Sequence, residues 1–144
     1  MILKPQISVI VPTYNRSKYI EKILQKFVSS SIPHEIIICD GGSKVSSKIK
    51  VKKIIEKYNF QNIRYIDVGI NNHSIKRNKG IKSALAKYIV LLDDDCFPEK
   101  KFLEKYFKIL EKYKFQNYLF CGSVKYPSKL MNKKFIQYRQ SRHF

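Results

Sequence analysis

Apolar and polar positions alternate in blocks along this chain, and the spacing inside the blocks switches between strand-like and helix-like. Ile7–Val11 is a short β-branched run that Pro12, lacking an N–H, is expected to close. From about Ser17 to Ser30, Ile20, Ile23, Leu24, Phe27 and Val28 recur at the spacing of one helical face. Ile36–Cys39 is a second apolar run, ending at Asp40-Gly41-Gly42-Ser43, and Val51, Ile54, Ile55 and Tyr58 then mark a second helix. Ile63–Val68 predicts a third strand. A third helix is predicted from about Ser74 to Lys87, with Ser74 as its N-cap. Tyr88–Leu92 is a fourth apolar run. Pro98 and Glu99 suit the first turn of a fourth helix, whose apolar face is Phe102, Leu103, Tyr106, Ile109, Leu110 and Tyr113. Tyr118–Val124 predicts a fifth strand. The order β-α-β-α-β-α-β-α-β implies an α/β fold with a mainly parallel sheet and helices on its faces.

Composition bounds this picture. A chain of 144 residues with 44% hydrophobic residues forms one domain with a real core. No apolar run approaches the ~18–20 residues that span a bilayer. The N-terminus lacks the charged-then-apolar layout of a signal peptide. Cys39, Cys96 and Cys121 are widely spaced and form no C-x-x-C pair, so they read as small core residues of a cytoplasmic protein. The formal charge of +18 favours anionic partners: nucleic acid, lipid headgroups or phosphorylated ligands. No helix-turn-helix, RNA-recognition or zinc-finger pattern accompanies it, so no specific nucleic acid is expected. Lysine on solvated helix faces accounts for the same charge equally well.

Acid is scarce, and its placement is informative. All five aspartates, Asp40, Asp67, Asp93, Asp94 and Asp95, lie at or just past the carboxyl end of a predicted strand, where α/β sheets bind ligands. Aspartate also favours turns, but that preference does not account for three in a row. If the triplet continues the strand, Asp93 and Asp95 face one side and Asp94 the other. Such oxygens suit Mg²⁺ or Mn²⁺, with phosphate completing the shell. The alternative is a solvated acidic loop capping the next helix. The paired glycines after Asp40 allow close backbone approach to a ligand, or a plain turn. Tyr14 offers a ring face to a base, or packs on the sheet edge. Lys76-Arg77-Asn78-Lys79-Gly80 opens the third helix, where free N–H groups and basic side chains attract phosphate.

In combination, I-S-V-I-V-P-T-Y-N-R at 7–16, I-I-I-C-D-G-G-S at 36–43, R-N-K-G-I at 77–81 and Y-I-V-L-L-D-D-D-C-F-P at 88–98 resemble the family 2 glycosyltransferases over nearly all of residues 6–124. The resemblance implies a GT-A-like (Rossmann-like) fold, a nucleotide-diphosphate-sugar donor and inverting, metal-dependent transfer to an acceptor hydroxyl. The product would be a cell-surface polysaccharide or glycolipid. It places Pro12 and Tyr14 in the nucleoside-binding first loop and Asp40 in the second. Arg77 falls near the base or diphosphate, Asp93 near the ribose, and Asp95 on a Mg²⁺ or Mn²⁺ ion.

Two departures accompany the resemblance. Gly41 stands where the family often has a second acid, which leaves the donor base open. After Glu111 the sequence contains no acid, so the catalytic base and the acceptor-binding part have no candidate. The expected organisation is a nucleotide-sugar-binding domain over 1–124 and a basic, aromatic tail over 125–144 that begins a second half. The tail could instead rest on an anionic membrane surface, which would suit a lipid-linked acceptor, a saccharide acceptor remaining open. The corresponding alternative function is a truncated, non-catalytic nucleotide-sugar-binding module or a split subunit.

Overall fold

The computed structural model describes residues 4–58, 62–113, 119–123 and 125. Four strands, β1 (Ile7–Thr13), β2 (His34–Asp40), β3 (Ile63–Asp67) and β4 (Tyr88–Leu91), form one all-parallel sheet in the order β3-β2-β1-β4. Four helices alternate with them: α1 (Ser17–Phe27), α2 (Val45–Tyr58), α3 (His73–Ser83) and α4 (Phe102–Lys112). The α/β architecture with helices on both faces matches the sequence reading. Among the described residues no helix is long and apolar enough to cross a membrane.

Period-2 alternation sorts the strand residues between two layers. Val9 and Val11 of β1, Ile36 and Ile38 of β2 and Val90 of β4 face the layer of α1, α2 and α4, where Ile20, Ile23, Leu24, Phe27, Val51 and Leu103 complete the main core. Ile10, Ile37 and Cys39 face α3 and form a thinner second layer with Ile66, Val68 and Ala84. Helix α3 has little apolar surface and packs instead through Gly80. A Cβ there would collide with Ile10 and lie 3.0 Å from Cys39 Sγ. Cys39 is core, as expected, and its burial pushes the thiol up to about 11. Cys121 is exposed, so the core reading fails for it.

Several boundaries differ from the sequence reading, each for a local reason. Strand β1 runs through Pro12 to Thr13. Ile10 gives its carbonyl to Leu92 N–H on the β4 side, and Pro12, two residues on, faces the same side beyond the last β4 rung, where no donor is required. The cap of α3 is Asn72, whose Oδ1 accepts from Ile75 N–H at 3.0 Å, rather than Ser74. The same helix stops at Ser83 because the next amides are engaged elsewhere. Leu85 N–H donates to Glu35 Oε1 at 2.6 Å and Ala86 N–H to Ser8 Oγ at 3.1 Å. Helix α4 begins at Phe102, after Lys101 in the left-handed region (φ 60°), so Pro98 and Glu99 lie outside it. Residues 119–123 carry no strand; Tyr118, Val124 and the tail from Tyr126 lie outside the described residues.

Candidate functional site

The sheet order fixes where a ligand can enter. Strands β1, β2 and β3 succeed one another in one direction, while β4 returns to the other side of β1. The crevice beyond the carboxyl ends of β1 and β4 is therefore a topological switch point. The end of β1, the loop after β2, the Asp93–Asp95 turn and the first turn of α3 meet there.

The aspartate triplet is a turn and not an extension of β4: Cys96 N–H bonds back to Asp93 carbonyl oxygen at 3.0 Å. The strand does not continue, yet the expected sides are kept, with Asp93 and Asp95 opening one way and Asp94 the other. Asp94 points inward and is buried, accepting from Thr13 Oγ1 at 2.8 Å and from Arg16 Nη1 at 2.8 Å. The same Arg16 nitrogen donates to Asp95 Oδ2 at 2.9 Å. Asp93 takes a 2.5 Å ion pair from Arg77 Nη2. Asp93 and Asp95 keep 47% and 53% of their side-chain surface exposed, so both open to the mouth. Three neighbouring carboxylates coexist because guanidinium groups compensate them. In return, Asp95 and then Asp94 hold the Arg16 pKa above its ordinary value.

Below the mouth sits Lys76, only 1% exposed. Its Nζ donates to the Thr13 carbonyl at 3.3 Å and to Asn71 Oδ1 at 3.1 Å. Burial lowers its pKa, and Arg16 and Arg77 push the same way, while Asp94 and Asp40 oppose them.

The first two loops are laced together. Asn15, at φ 56°, donates its N–H to Ser43 Oγ at 2.7 Å and accepts from Lys44 N–H at 2.8 Å. Asp40 Oδ1 accepts from Ser43 N–H at 2.7 Å. Its Oδ2 is buried without a hydrogen-bond partner, as is Tyr65 Oη. Burial, then the Asp40 carboxylate, raises the Tyr65 phenol above its usual range. Gly41 lies close under its neighbours: a Cβ would lie 3.0 Å from Asn71 Cα, Ile70 O and Lys76 Cδ, so a side chain there requires them to give by a few tenths of an ångström.

Of the residues expected at the site, Pro12, Tyr14, Asp40, Arg77, Asp93 and Asp95 all lie on these strand-end segments, with Pro12 and Asp40 buried and Tyr14 exposed. Asp67 ends β3 but turns to Lys48 at 2.5 Å. The sequence reading gave no role to Thr13, Arg16 or Asp94. Thr13 and Asp94 are 81 positions apart, and no local spacing pairs them.

Among the described residues no three His, Cys, Asp or Glu side chains converge as a protein-only metal cage. Two half-exposed carboxylates on one turn do fit a hard divalent ion that draws its other ligands from water and phosphate.

A family profile described as glycosyl transferase family 2 matches residues 8–142. The dolichyl N-acetyl-α-D-glucosaminyl phosphate 3-β-D-2,3-diacetamido-2,3-dideoxy-β-D-glucuronosyltransferase of Methanococcus voltae is 31% identical over 111 residues, which cover 75% of this chain and 35% of that relative. The crystal structure of Staphylococcus aureus TarS 1–349 superposes with a TM-score of 0.66 at 26% identity, covering 76% of this chain and 33% of that one. The mannosyltransferase PcManGT of Pyrobaculum calidifontis, solved with GDP-Man and Mn²⁺, gives a TM-score of 0.61 at 21% identity, covering 69% and 30%. At that identity the likeness to PcManGT carries the fold alone. The chain spans about a third of the length of these relatives.

Proposed function

The chain belongs to glycosyl transferase family 2, and from that premise we propose that its strand-end crevice binds a nucleotide-diphosphate-sugar donor for transfer of the sugar to an acceptor hydroxyl. The observation that carries this reading is the meeting of the Asp93–Asp95 turn, Arg16, Arg77 and the Asp40 loop at the β1/β4 switch point. Carboxylates and guanidinium groups on one mouth suit a ligand that is itself a diphosphate escorted by a cation.

In this reading Pro12 and Tyr14 flank the nucleoside. Asp40 at the end of β2 lies toward base or ribose, and Asp93 lies toward the ribose. Arg77 clamps phosphate oxygens in the manner that favours arginine over lysine. Asp95, with Asp93 beside it, would hold Mg²⁺ or Mn²⁺. When bound, the ion would neutralise charge on the departing nucleoside diphosphate. Family relatives support the ligand class: TarS has been solved with UDP, and PcManGT with GDP-Man and Mn²⁺. The name of the Methanococcus voltae relative describes a lipid-phosphate-linked sugar acceptor. An acceptor of that kind, or a saccharide, fits transfer in cell-surface polymer or glycolipid synthesis, by a cytoplasmic domain resting against an anionic membrane.

A second reading has its own observation. An inverting displacement needs a base within reach of the acceptor hydroxyl. Among the described residues of the crevice, Asp40 and Asp94 are buried, and Asp93 and Asp95 are each paired with an arginine. The base then lies outside this crevice, and the described part is a donor-binding module.

Thermal denaturation with UDP or GDP, with and without Mn²⁺ or Mg²⁺, tests the first reading. The expected result is a metal-dependent rise in Tm that Asp95→Ala abolishes. No shift with any common nucleoside diphosphate would refute donor binding. Donor binding without transfer would select the second reading.

A further inference from the structure

We propose that Arg16 is a built-in counter-ion of the aspartate turn, which a divalent cation displaces from Asp95 and which then serves the donor's diphosphate. This rests on the donor-site reading above and adds a residue and an exchange to it.

The geometry separates a fixed from a releasable contact. Arg16 is the last residue before α1, and its carbonyl accepts from Tyr19 N–H at 3.0 Å, so its backbone is pinned. Its side chain makes no cap of its own helix and is free to reach across the crevice. One nitrogen, Nη1, makes both carboxylate contacts. The Asp94 end is buried and additionally held by Thr13, so it is an anchor. The Asp95 end is half-exposed, and a pair of that kind is weak and easily exchanged. The guanidinium carbon also lies 5.7 Å from the Tyr19 ring centre, a seat that keeps the group at the mouth when one contact is lost.

Arg16 contacts only Oδ2 of Asp95, and a divalent ion arriving on the same carboxylate repels the guanidinium, so the ion weakens that contact and favours its release. After exchange, Arg16 has unused N–H donors at the mouth and a like charge beside it. A diphosphate bridging ion and guanidinium relieves both. The cation is thus admitted reluctantly on its own and readily with nucleotide.

The test measures Mn²⁺ binding by electron paramagnetic resonance of the free ion, without reference to activity, in the wild-type chain, Arg16→Gln, Arg16→Lys and Asp95→Asn. Arg16→Gln is expected to bind Mn²⁺ alone about three- to tenfold more tightly, since it removes a competitor and a repelling charge. It is expected to bind UDP or GDP in the presence of Mn²⁺ about tenfold more weakly, having lost a charged phosphate donor. Opposite signs for the two ligands distinguish exchange from mere support of the turn, which would weaken both. Equal or weaker Mn²⁺ binding by a folded Arg16→Gln chain overturns the proposal while leaving donor binding intact. If circular dichroism shows Arg16→Gln unfolded, Arg16→Lys decides by the same two signs with smaller amplitudes. Should the wild-type chain bind no Mn²⁺ even with nucleotide, the donor-site reading fails and this one with it. Asp95→Asn, losing Mn²⁺ altogether, locates the ion.

Discussion

Lys76 Nζ donates to the carbonyl oxygen of Thr13 at 3.3 Å, tying the first turn of α3 to the last residue of β1 from beneath the crevice. The tie matters because Thr13 also holds Asp94, so α3, β1 and the aspartate turn form one connected unit. A buried ammonium is disfavoured by desolvation, and its hydrogen bonds repay only part of that. Lys76→Ala is expected to lose about 2–3 kcal/mol, since it empties the space its stem fills against Gly41, while the Thr13 carbonyl keeps the Gly41 N–H. Lys76→Met keeps the volume and removes the desolvation penalty, and is expected to lose about 1 kcal/mol or less. Urea denaturation midpoints for the two variants check the order. A methionine variant as unstable as the alanine one would show that the charge itself holds the unit together.

Gly80→Ala sets two effects against each other. Alanine favours an α-helix over glycine by about 1 kcal/mol. Here the added methyl collides with Ile10, a fully buried residue of the central strand, and overpacking of that kind costs about 1–3 kcal/mol. The expected outcome is net destabilisation with a lower Tm. A raised Tm would mean that α3 can lift off the sheet freely.

Glu35, buried on β2, accepts from Ser8 Oγ at 2.6 Å and Leu85 N–H at 2.6 Å, and pairs with Arg64 Nη2 at 2.5 Å. Arg64 also donates to the Ser83 carbonyl. Glu35→Ala takes the acceptor from the buried Ser8 hydroxyl and from the Leu85 N–H, and is expected to cost about 3 kcal/mol, read as a shifted chemical-denaturation midpoint.

Acid should weaken the fold partly through Asp67. Its hydrogen bond from Lys48, with the Lys48 charge and the Gly69 N–H adding to it, holds the carboxyl below its ordinary value against the opposing effect of burial. A folded-state pKa below the unfolded one gives stability that is full above the unfolded value and is lost as pH falls through the folded one. Asp67→Asn should flatten the stability profile across the carboxylate range while changing neutral-pH stability little, because the pair is half-exposed. Tm measured from neutral to acid pH in both chains checks this.

Much of the fold was legible because its signals are local. Ile7, Val9 and Val11, and Ile36 and Ile38, announce strands by β-branched runs, and Ile20, Ile23, Leu24 and Phe27 announce α1 by their spacing. Helix ends were less legible. The stop of α3 depends on Ser8 and Glu35, which claim its onward amides from strands far away in sequence. The start of α4 depends on one left-handed residue, Lys101, which nothing in its neighbourhood foretells.

For the crevice, the chain by itself determined which segments meet at the strand ends, because strand-end carboxylates and a basic helix start follow from nearest-neighbour pattern and strand order. It did not determine their pairing. That Asp94 turns inward to Thr13 and Arg16, and that Arg16 also faces Asp95, were decided only when a parallel sheet placed β1 beside β4 and brought residues some 80 positions apart within 3 Å. Short-range periodicity encodes elements. Hydrogen bonds between the ends of non-adjacent segments exist only once the layers have packed.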